Sequence, residues 1–200
     1  MITTIILIVT VLVSIKCFSD EELFNKLALK PYRVVHNNEW YRIITHGFVH
    51  ANSMHLIFNM ITFYSFGDYI ERAFGQIFSS YLPYILLYFG GLIAASVYDV
   101  IKHKNNEWYT SIGASGAVSA IMFTFILLAP WAKLQLFFFF PIPGIVMGVI
   151  FLVFCQYMSK NSNDHINHNA HFYGAIYGFL FPIILKPELF TYFVHQLLKF

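Results

Sequence analysis

Long uncharged apolar runs alternate with short polar stretches along this chain. Each run comes close to the roughly 20 residues that an α-helix needs to cross a bilayer. The runs lack strand alternation, and helices satisfy their own backbone polar groups in lipid. The pattern predicts an all-α polytopic membrane protein with six transmembrane helices in a single domain. We expect the spans at residues 1–18, 51–70, 77–98, 112–130, 143–159 and 168–185.

Two stretches outside the spans also predict structure. Residues 19–50 form a long first loop that opens with Ser19-Asp20-Glu21-Glu22, a capping-box pattern with Ser19 at the cap. A short interfacial helix is expected after it, ending near Lys30-Pro31. Residues 187–200 are apolar but too short to span, so we expect an amphipathic tail there.

Composition agrees with a membrane protein. The chain is 58% hydrophobic and 11% charged, where a soluble domain is about 25% charged. A net charge of +2 without a basic cluster gives no reason to expect a nucleic-acid partner. Cys17 and Cys155 lie beside or within apolar runs and are interpreted as packing residues rather than a disulfide. The first run lacks a basic n-region and a cleavage site, which favours a retained helix over a signal peptide.

Two motifs of small residues carry the candidate chemistry. Gly113-Ala114-Ser115-Gly116 opens the fourth span, and Ala170-His171-Phe172-Tyr173-Gly174 opens the sixth, with Gly178 four residues later. Small residues let membrane helices approach closely, and a serine within about 2.6–3.2 Å of a histidine gains a general base. Alternating spans would put both motifs at similar depth on one side. Each motif alone also fits simple helix packing, but together they predict a Ser115–His171 dyad.

A third polar cluster occupies the start of the second span. His55 and Asn59 are four residues apart, share a helix face, and could both donate hydrogen bonds to an oxyanion. His46 and His50 have the same spacing, which two metal ligands could use. HExxH is absent and no carboxylate lies nearby, so we predict no metal and no cofactor.

The chain resembles the rhomboid intramembrane serine proteases in motifs that cover residues 40–178 in family order. Glu71 also resembles a glutamate that the family carries after the second span. The resemblance implies a rhomboid-like bundle with the six-helix core of the prokaryotic type. The matching motifs are Trp40-x-Arg42, His46, His50, His55-x-x-x-Asn59, Gly113-x-Ser115-Gly116 and Ala170-His171-x-x-Gly174-x-x-x-Gly178.

The resemblance also implies a role for each motif residue. Ser115 would be the nucleophile and His171 the general base, while His55, Asn59 and the Ser115 N–H would stabilise the oxyanion. Some relatives place a tyrosine one turn after the serine, where it packs on the histidine. This chain has Ser119 there, so the contact that orients His171 would come from another residue, such as Tyr173 or Tyr177, or would be weaker. Structural support would come from Arg42 with Trp40 or Tyr41 at the interface, and from His46, His50, Gly113, Gly116, Gly174 and Gly178.

Partners and location follow from the same resemblance. Substrates would be single-pass or other transmembrane proteins, cut in the lipid bilayer, with the bacterial inner membrane as the expected location. Lys and Arg number eight in the odd loops and four on the other side, so the positive-inside rule opposes the family orientation. We keep the orientation that the resemblance implies, with a cytoplasmic N-terminus and the catalytic side facing outward, as the expectation. The fifth span resembles the family's lateral gate, although phenylalanines 137–140 would equally fit positions that face lipid.

Three other classes compete with this interpretation. A non-catalytic rhomboid-like chaperone or trafficking factor would be expected to have lost the serine or the histidine, and both are present. An intramembrane aspartyl protease needs two membrane aspartates, but the motifs around Asp68 and Asp99 are incomplete and in the wrong order. A small transporter would carry paired charges at mid-membrane, and none are visible in the sequence.

Overall fold

The protein is mostly helical in a computed structural model that describes residues 1–136, 140–161 and 166–199. A 3₁₀ turn at His46–Phe48 precedes the longest helix, and an antiparallel hairpin joins β1 (Lys133–Leu136) to β2 (Phe140–Pro143). The helices are α1 (Ile2–Ser19), α2 (Glu21–Leu27), α3 (Pro31–His36), α4 (Arg42–Thr45), α5 (Ser53–Phe78), α6 (Leu82–His103), α7 (Ser115–Leu128), α8 (Gly144–Asn161), α9 (His168–Leu185) and α10 (Glu188–Leu198).

Length and composition identify three to four candidate membrane spans among the described residues. Helices α1, α6 and α8 qualify singly, and α9 with α10 forms a fourth candidate that bends by 116°. The predicted count of six is therefore not confirmed. Helix α5 has 26 residues but contains Asp68, Glu71 and Arg72. Helix α7 has only 14 residues, or about 21 Å of helix against a hydrocarbon core of about 30 Å.

Several helix boundaries differ from the expected ones. Helix α5 continues to Phe78, beyond the expected end at residue 70, so α6 begins at Leu82 instead of residue 77. Helix α7 begins at Ser115 rather than at residue 112, because Gly113 has φ 111°, a conformation that does not continue a helix. The phenylalanines at 137–139 and the polar residues at 162–165 lie outside the described part of the chain.

The first loop contains three short α-helices and a 3₁₀ turn where one helix was expected. Asp20, not Ser19, caps α2, since its Oδ1 accepts from the Leu23 N–H at 2.9 Å. Ser19 instead ends α1 and donates to the Lys16 carbonyl. Pro31 then opens α3, a position where its missing N–H costs nothing. The loop therefore folds back on itself instead of ending as one helix at Lys30-Pro31.

Helix α7 forms the centre of the molecule. Of its 14 residues, 11 are buried, and it packs against α5, α6, α9 and α10. Its closest neighbour is α9, where a Cβ added at Gly174 would overlap the Gly116 carbonyl and one at Gly178 would overlap that of Ala120. The Thr124 hydroxyl also lies 2.6 Å from the Gly178 carbonyl. We call this contact the α7–α9 seam. Ser115 is the first residue of α7 and His171 lies in the first turn of α9, so each lies where the seam begins on its helix.

Candidate active site

Ser115 and His171 line the same two cavities. The larger, of about 1070 Å³, also contains His55 and Asn59, so it brings together all four residues expected to act on a substrate. We call it the polar cavity, because its wall also includes Asn52, Asn106, Thr110, Ser111 and Asn167. The smaller, of about 310 Å³, is the apolar cavity between α5, α7 and α8, lined by Phe66, Val118, Met122, Met147 and Phe151 among others.

The segment before Ser115 is hydrogen-bonded to the first loop. Ser111 and Leu29 exchange two backbone hydrogen bonds of 3.0 Å, and the Gly113 N–H donates to the His46 carbonyl at 2.9 Å. A Cβ on Gly113 would lie 2.8 Å from Cε1 of His55. Glycine is thus needed here both for its positive φ and for the close approach of the His55 ring.

His50 supports the same segment through its side chain. The Ser14 hydroxyl donates its single proton to the Phe48 carbonyl at 2.8 Å, while its Oγ lies 2.9 Å from His50 Nδ1. His50 must therefore donate from Nδ1, which leaves Nε2 as the acceptor for the Ala114 N–H at 3.5 Å. Burial, with His55 and His46 nearby, lowers the pKa of His50 to about 3, so the ring stays neutral.

His46 and Arg42 hold the first loop from inside the protein. His46 Nε2 lies 2.9 Å from Ser96 Oγ on α6, and burial lowers the pKa of His46 to about 4. Arg42 is buried and donates to the carbonyls of Asn25 at 2.8 Å and Ala28 at 2.7 Å. Its charge is met by Glu39 at 2.5 Å. Arg42 therefore binds backbone carbonyls within the first loop, and its expected role as an anchor at the membrane interface stays a prediction.

Glu71 fixes the start of α1. Its carboxylate accepts from the backbone N–H groups of Ile2 and Thr3, each at 2.8 Å. Such bonds satisfy donors that a helix N-terminus cannot pair within itself. The glutamate on α5 thus holds two helices together, away from the two cavities.

Two residues missed by the sequence analysis position the start of α9. Asn167 caps this helix, because its Oδ1 accepts from the Ala170 N–H at 3.0 Å. Its amide nitrogen donates to the buried carboxylate of Asp99 on α6 and to Ser111 Oγ at 3.0 Å. His171 therefore sits one turn after a cap that is tied to the Ser115 segment. Asp99 could have been singled out from the sequence, because it is a carboxylate inside an apolar run. The sequence analysis considered it only as part of an aspartyl-protease motif.

Tyr173 and Tyr177, the two tyrosines suggested as contacts that orient His171, each have another partner. Tyr173 stacks on Tyr98 at 5.4 Å, and the Tyr177 hydroxyl donates to the Leu86 carbonyl at 3.0 Å. The ring that stacks on His171 is Phe151 of α8, with centroids 6.2 Å apart and planes inclined by 21°. Sequence spacing could not reveal it because Phe151 comes from another helix.

His55 and Asn59 occupy the first turns of α5. Asn52 caps this helix by accepting from the His55 N–H at 2.9 Å. Asn59 Nδ2 donates one hydrogen to the His55 carbonyl at 2.9 Å, and the amide carries a second hydrogen. As the first residue of α7, Ser115 has an N–H that no helical carbonyl accepts. The Ala51 N–H donates to His55 Nδ1 at 3.5 Å, so Nε2 carries the proton of the neutral His55 ring. Three types of donor are therefore available at the polar cavity.

A family model describing the rhomboid domain matches residues 37–188, so the chain belongs to the rhomboid family. It is 33% identical over 148 residues to RHOMBOID-like protein 12, mitochondrial, of Arabidopsis thaliana, covering 66% of this chain and 43% of that protein. It is 28% identical over 156 residues to the putative rhomboid protease YdcA of Bacillus subtilis, covering 77% of this chain and 72% of that protein. It is 26% identical over 182 residues to the rhomboid protease GlpG of Haemophilus influenzae, covering 86% of this chain and 84% of that protein.

The matched region thus spans less than half of the Arabidopsis relative and most of the two bacterial ones. Family membership and the apolar helices identify a membrane protein of a protease family. The relatives include bacterial, mitochondrial and chloroplastic proteins, so they do not select one membrane.

Proposed function

We propose that this chain is an intramembrane serine endopeptidase that cleaves transmembrane protein substrates with a Ser115–His171 dyad. The single observation that carries the proposal is that both residues line the same two cavities, a larger one whose wall includes amide and hydroxyl side chains and a smaller one whose wall is mainly apolar. Peptide hydrolysis in a membrane needs water on one side of the nucleophile and an apolar segment on the other. The polar cavity would supply the water and the apolar cavity would receive the substrate.

The proposed reaction follows from the groups at the two cavities. Ser115 Oγ attacks the scissile carbonyl while His171 accepts the hydroxyl proton, which it then gives to the leaving amine. The oxyanion would be held by His55, Asn59 and the Ser115 N–H, in an environment where such bonds are worth more than in water. Water then repeats the sequence on the acyl-enzyme, releasing the second product and restoring Ser115.

No described carboxylate is needed to complete this dyad. Phe151 stacks on the imidazole, and the Asn167 cap fixes the helix that carries it, which together limit the orientations of His171. A neutral imidazole held in one tautomer can act as a base without an aspartate. The six-span arrangement, the outward-facing catalytic side and the bacterial inner membrane remain part of the proposal.

The test is cleavage of a transmembrane substrate by the full chain in detergent, with Ser115→Ala as the variant. Loss of a catalytic serine costs about 10⁶-fold in kcat in a soluble protease, so cleavage should vanish. A fluorophosphonate should label the wild type and not the variant, whose helical circular dichroism should be unchanged. The non-catalytic alternative keeps some support from relatives named only as rhomboid-like. Full activity in Ser115→Ala would contradict the role of Ser115 as nucleophile, whereas no labelling and no cleavage by a folded wild type would favour the non-catalytic alternative.

A further inference from the structure

A cluster of metal-ligating groups lies beside His171. One ligand atom each from Cys155 on α8 and from His168 and His171 on α9 lie within 4.8 Å of one another. Cys155 and His168 are buried, and His171 reaches both cavities. We propose that these three side chains form a site for Zn²⁺ or a similar divalent ion, and that the bound ion inhibits the protease. The inhibitory part rests on the proposed function, whereas the binding part does not.

The ligand set matches the chemistry of zinc. One thiolate and two imidazoles are borderline-soft donors that zinc prefers over magnesium or calcium. Tetrahedral bonds of about 2.0–2.3 Å place ligand atoms about 3.5 Å apart, so the three side chains need to close by about an ångström. The spacing of His168 and His171 is i,i+3, which puts both on one face of α9. Three protein ligands leave a fourth position that water from the cavity can fill.

The contacts of the cluster favour a built site over a chance grouping. Cys155 is one of only three buried residues on α8, together with Gly144 and Gly148. The ring of His168 makes an edge contact with Phe154 at 5.6 Å and lies 6.2 Å from the ring of His171. The Phe154 ring therefore covers His168 on the α8 side of the cluster.

Bound metal would remove the base function of His171 whichever ring nitrogen it takes. A neutral imidazole has one lone pair for accepting and one N–H. When one nitrogen binds the ion, the other carries the ring proton, so no lone pair remains for the Ser115 hydroxyl. Binding also releases the Cys155 proton to solvent, since the thiolate is the ligand. The ion joins α8 to α9, so it would also fix the sparsely packed helix over His171.

The binding test uses Co²⁺ as a spectroscopic probe with purified full chain that carries no polyhistidine tag. The wild type should develop a thiolate-to-cobalt charge-transfer band and tetrahedral d–d bands, which Zn²⁺ then abolishes by displacement. Cys155→Ser should lose the charge-transfer band and weaken binding by more than the about 10–100-fold that an outer-shell change costs. Cys17→Ser is the matched control, because Cys17 is also buried but lies on α1, and its spectrum should equal that of the wild type.

Ser115→Ala separates this site from the proposed protease activity. It should bind Co²⁺ like the wild type even though it cannot cleave. In the activity assay, Zn²⁺ should inhibit the wild type and Cys17→Ser, and a chelator should restore both. Cys155→Ser should keep its basal cleavage and lose the sensitivity to Zn²⁺.

Each outcome has a defined meaning. A wild type without the cobalt bands, or a Cys155→Ser variant that retains them, overturns the site. Tight binding without inhibition overturns the assignment of His171 as a ligand. A wild type that binds Co²⁺ through Cys155 but never cleaves substrate supports the metal site and contradicts the proposed function instead.

Discussion

Helices α7 and α8 both line the candidate site but differ in how they are held. Helix α7 buries 11 of 14 residues, and its small residues meet α9 backbone to backbone. Helix α8 buries three of 18 residues, and its exposed apolar side chains include Val149, Ile150 and Val153. Ser115 and His171 begin the tightly packed seam, whereas Phe151, the ring on His171, comes from the sparsely packed helix.

This difference separates two requirements of hydrolysis inside a membrane. The reacting groups must keep their positions to within about an ångström, which a close-packed seam provides. A substrate segment must still reach them, which needs one neighbour that can move. Low burial is a property expected of elements that open at small free-energy cost. We therefore expect changes along the seam and on α5 to reduce activity far more than changes on α8.

The largest effect in this comparison should come from α5, which faces the seam across the polar cavity. Removing one oxyanion donor costs about 10²–10³ in kcat in a soluble protease, so His55→Ala with Asn59→Ala should lose more than about 10³-fold. The measurement is kcat for a transmembrane substrate in detergent. Ser65→Ala, further along the same helix and outside the linings of both cavities, is the matched control and should stay close to wild type. Near-wild-type turnover in the double variant would mean that His55 and Asn59 only support packing.

The next effect tests the seam itself. Gly174→Val would force a side chain against the Gly116 carbonyl, at the level where Ser115 and His171 begin their helices. Displacement by about 1 Å can cost about 10²-fold in rate. Gly144→Val is the control on α8, where an added Cβ would lie 3.3 Å from the Pro130 carbonyl.

Stability must be measured in parallel, by thermal unfolding of both glycine variants. The seam explanation requires Gly174→Val to remain folded at the assay temperature while its cleavage falls well below that of Gly144→Val. Normal cleavage by Gly174→Val would show that the seam does not set the geometry. Activity loss that simply follows global unfolding would contradict the explanation equally.

The sequence predicted the packing of the seam better than it predicted which residues of other helices support the site. Gly174 and Gly178 repeat at helical spacing, and the partner small residues lie within one segment, so local pattern was sufficient to predict their close packing. Phe151 and the Asn167–Asp99 pair act across three different helices, and no spacing within one segment encodes such contacts. The helix starts at Asp20 and Ser115 differed by one to three residues because cap chemistry and the φ of Gly113 decided them.

A smaller effect should come from the α8 side. Phe151→Leu keeps an apolar group but removes the flat ring from His171, so His171 gains orientational freedom. We expect kcat to fall by about tenfold, below the 10²-fold typical of a complete general-base loss. Phe154→Leu is the same change on the same helix, against His168. Its kcat should stay near wild type, and KM should rise in neither variant. If Phe151→Leu lowers kcat as much as Gly174→Val does, activity does not depend more on the seam than on α8, and the comparison fails.

The smallest effect on activity should come from His50, which accepts from the Ala114 N–H just before Ser115. Burial keeps the pKa of His50 at about 3, well below its usual value, so the folded protein leaves this ring neutral over a range where the unfolded chain protonates it. Stability that depends on the neutral ring is complete above the unfolded pKa of about 6.5 and is lost as the pH falls toward the folded value.

The variant His50→Asn tests this linkage by thermal unfolding at two pH values. Near neutral pH it should be less stable than wild type, because the bonds to Ser14 and Ala114 are weakened. Between about pH 7 and about pH 4.5 the free energy of unfolding of the wild type should fall by about 2 kcal/mol more than that of the variant. The difference in stability between the two proteins should therefore narrow. A difference that stays constant or widens on acidification would mean that the folded protein does not lower the pKa of His50. The ring would then be protonated at about pH 4.5 and unable to accept from Ala114 there, and the start of α7 would need another support.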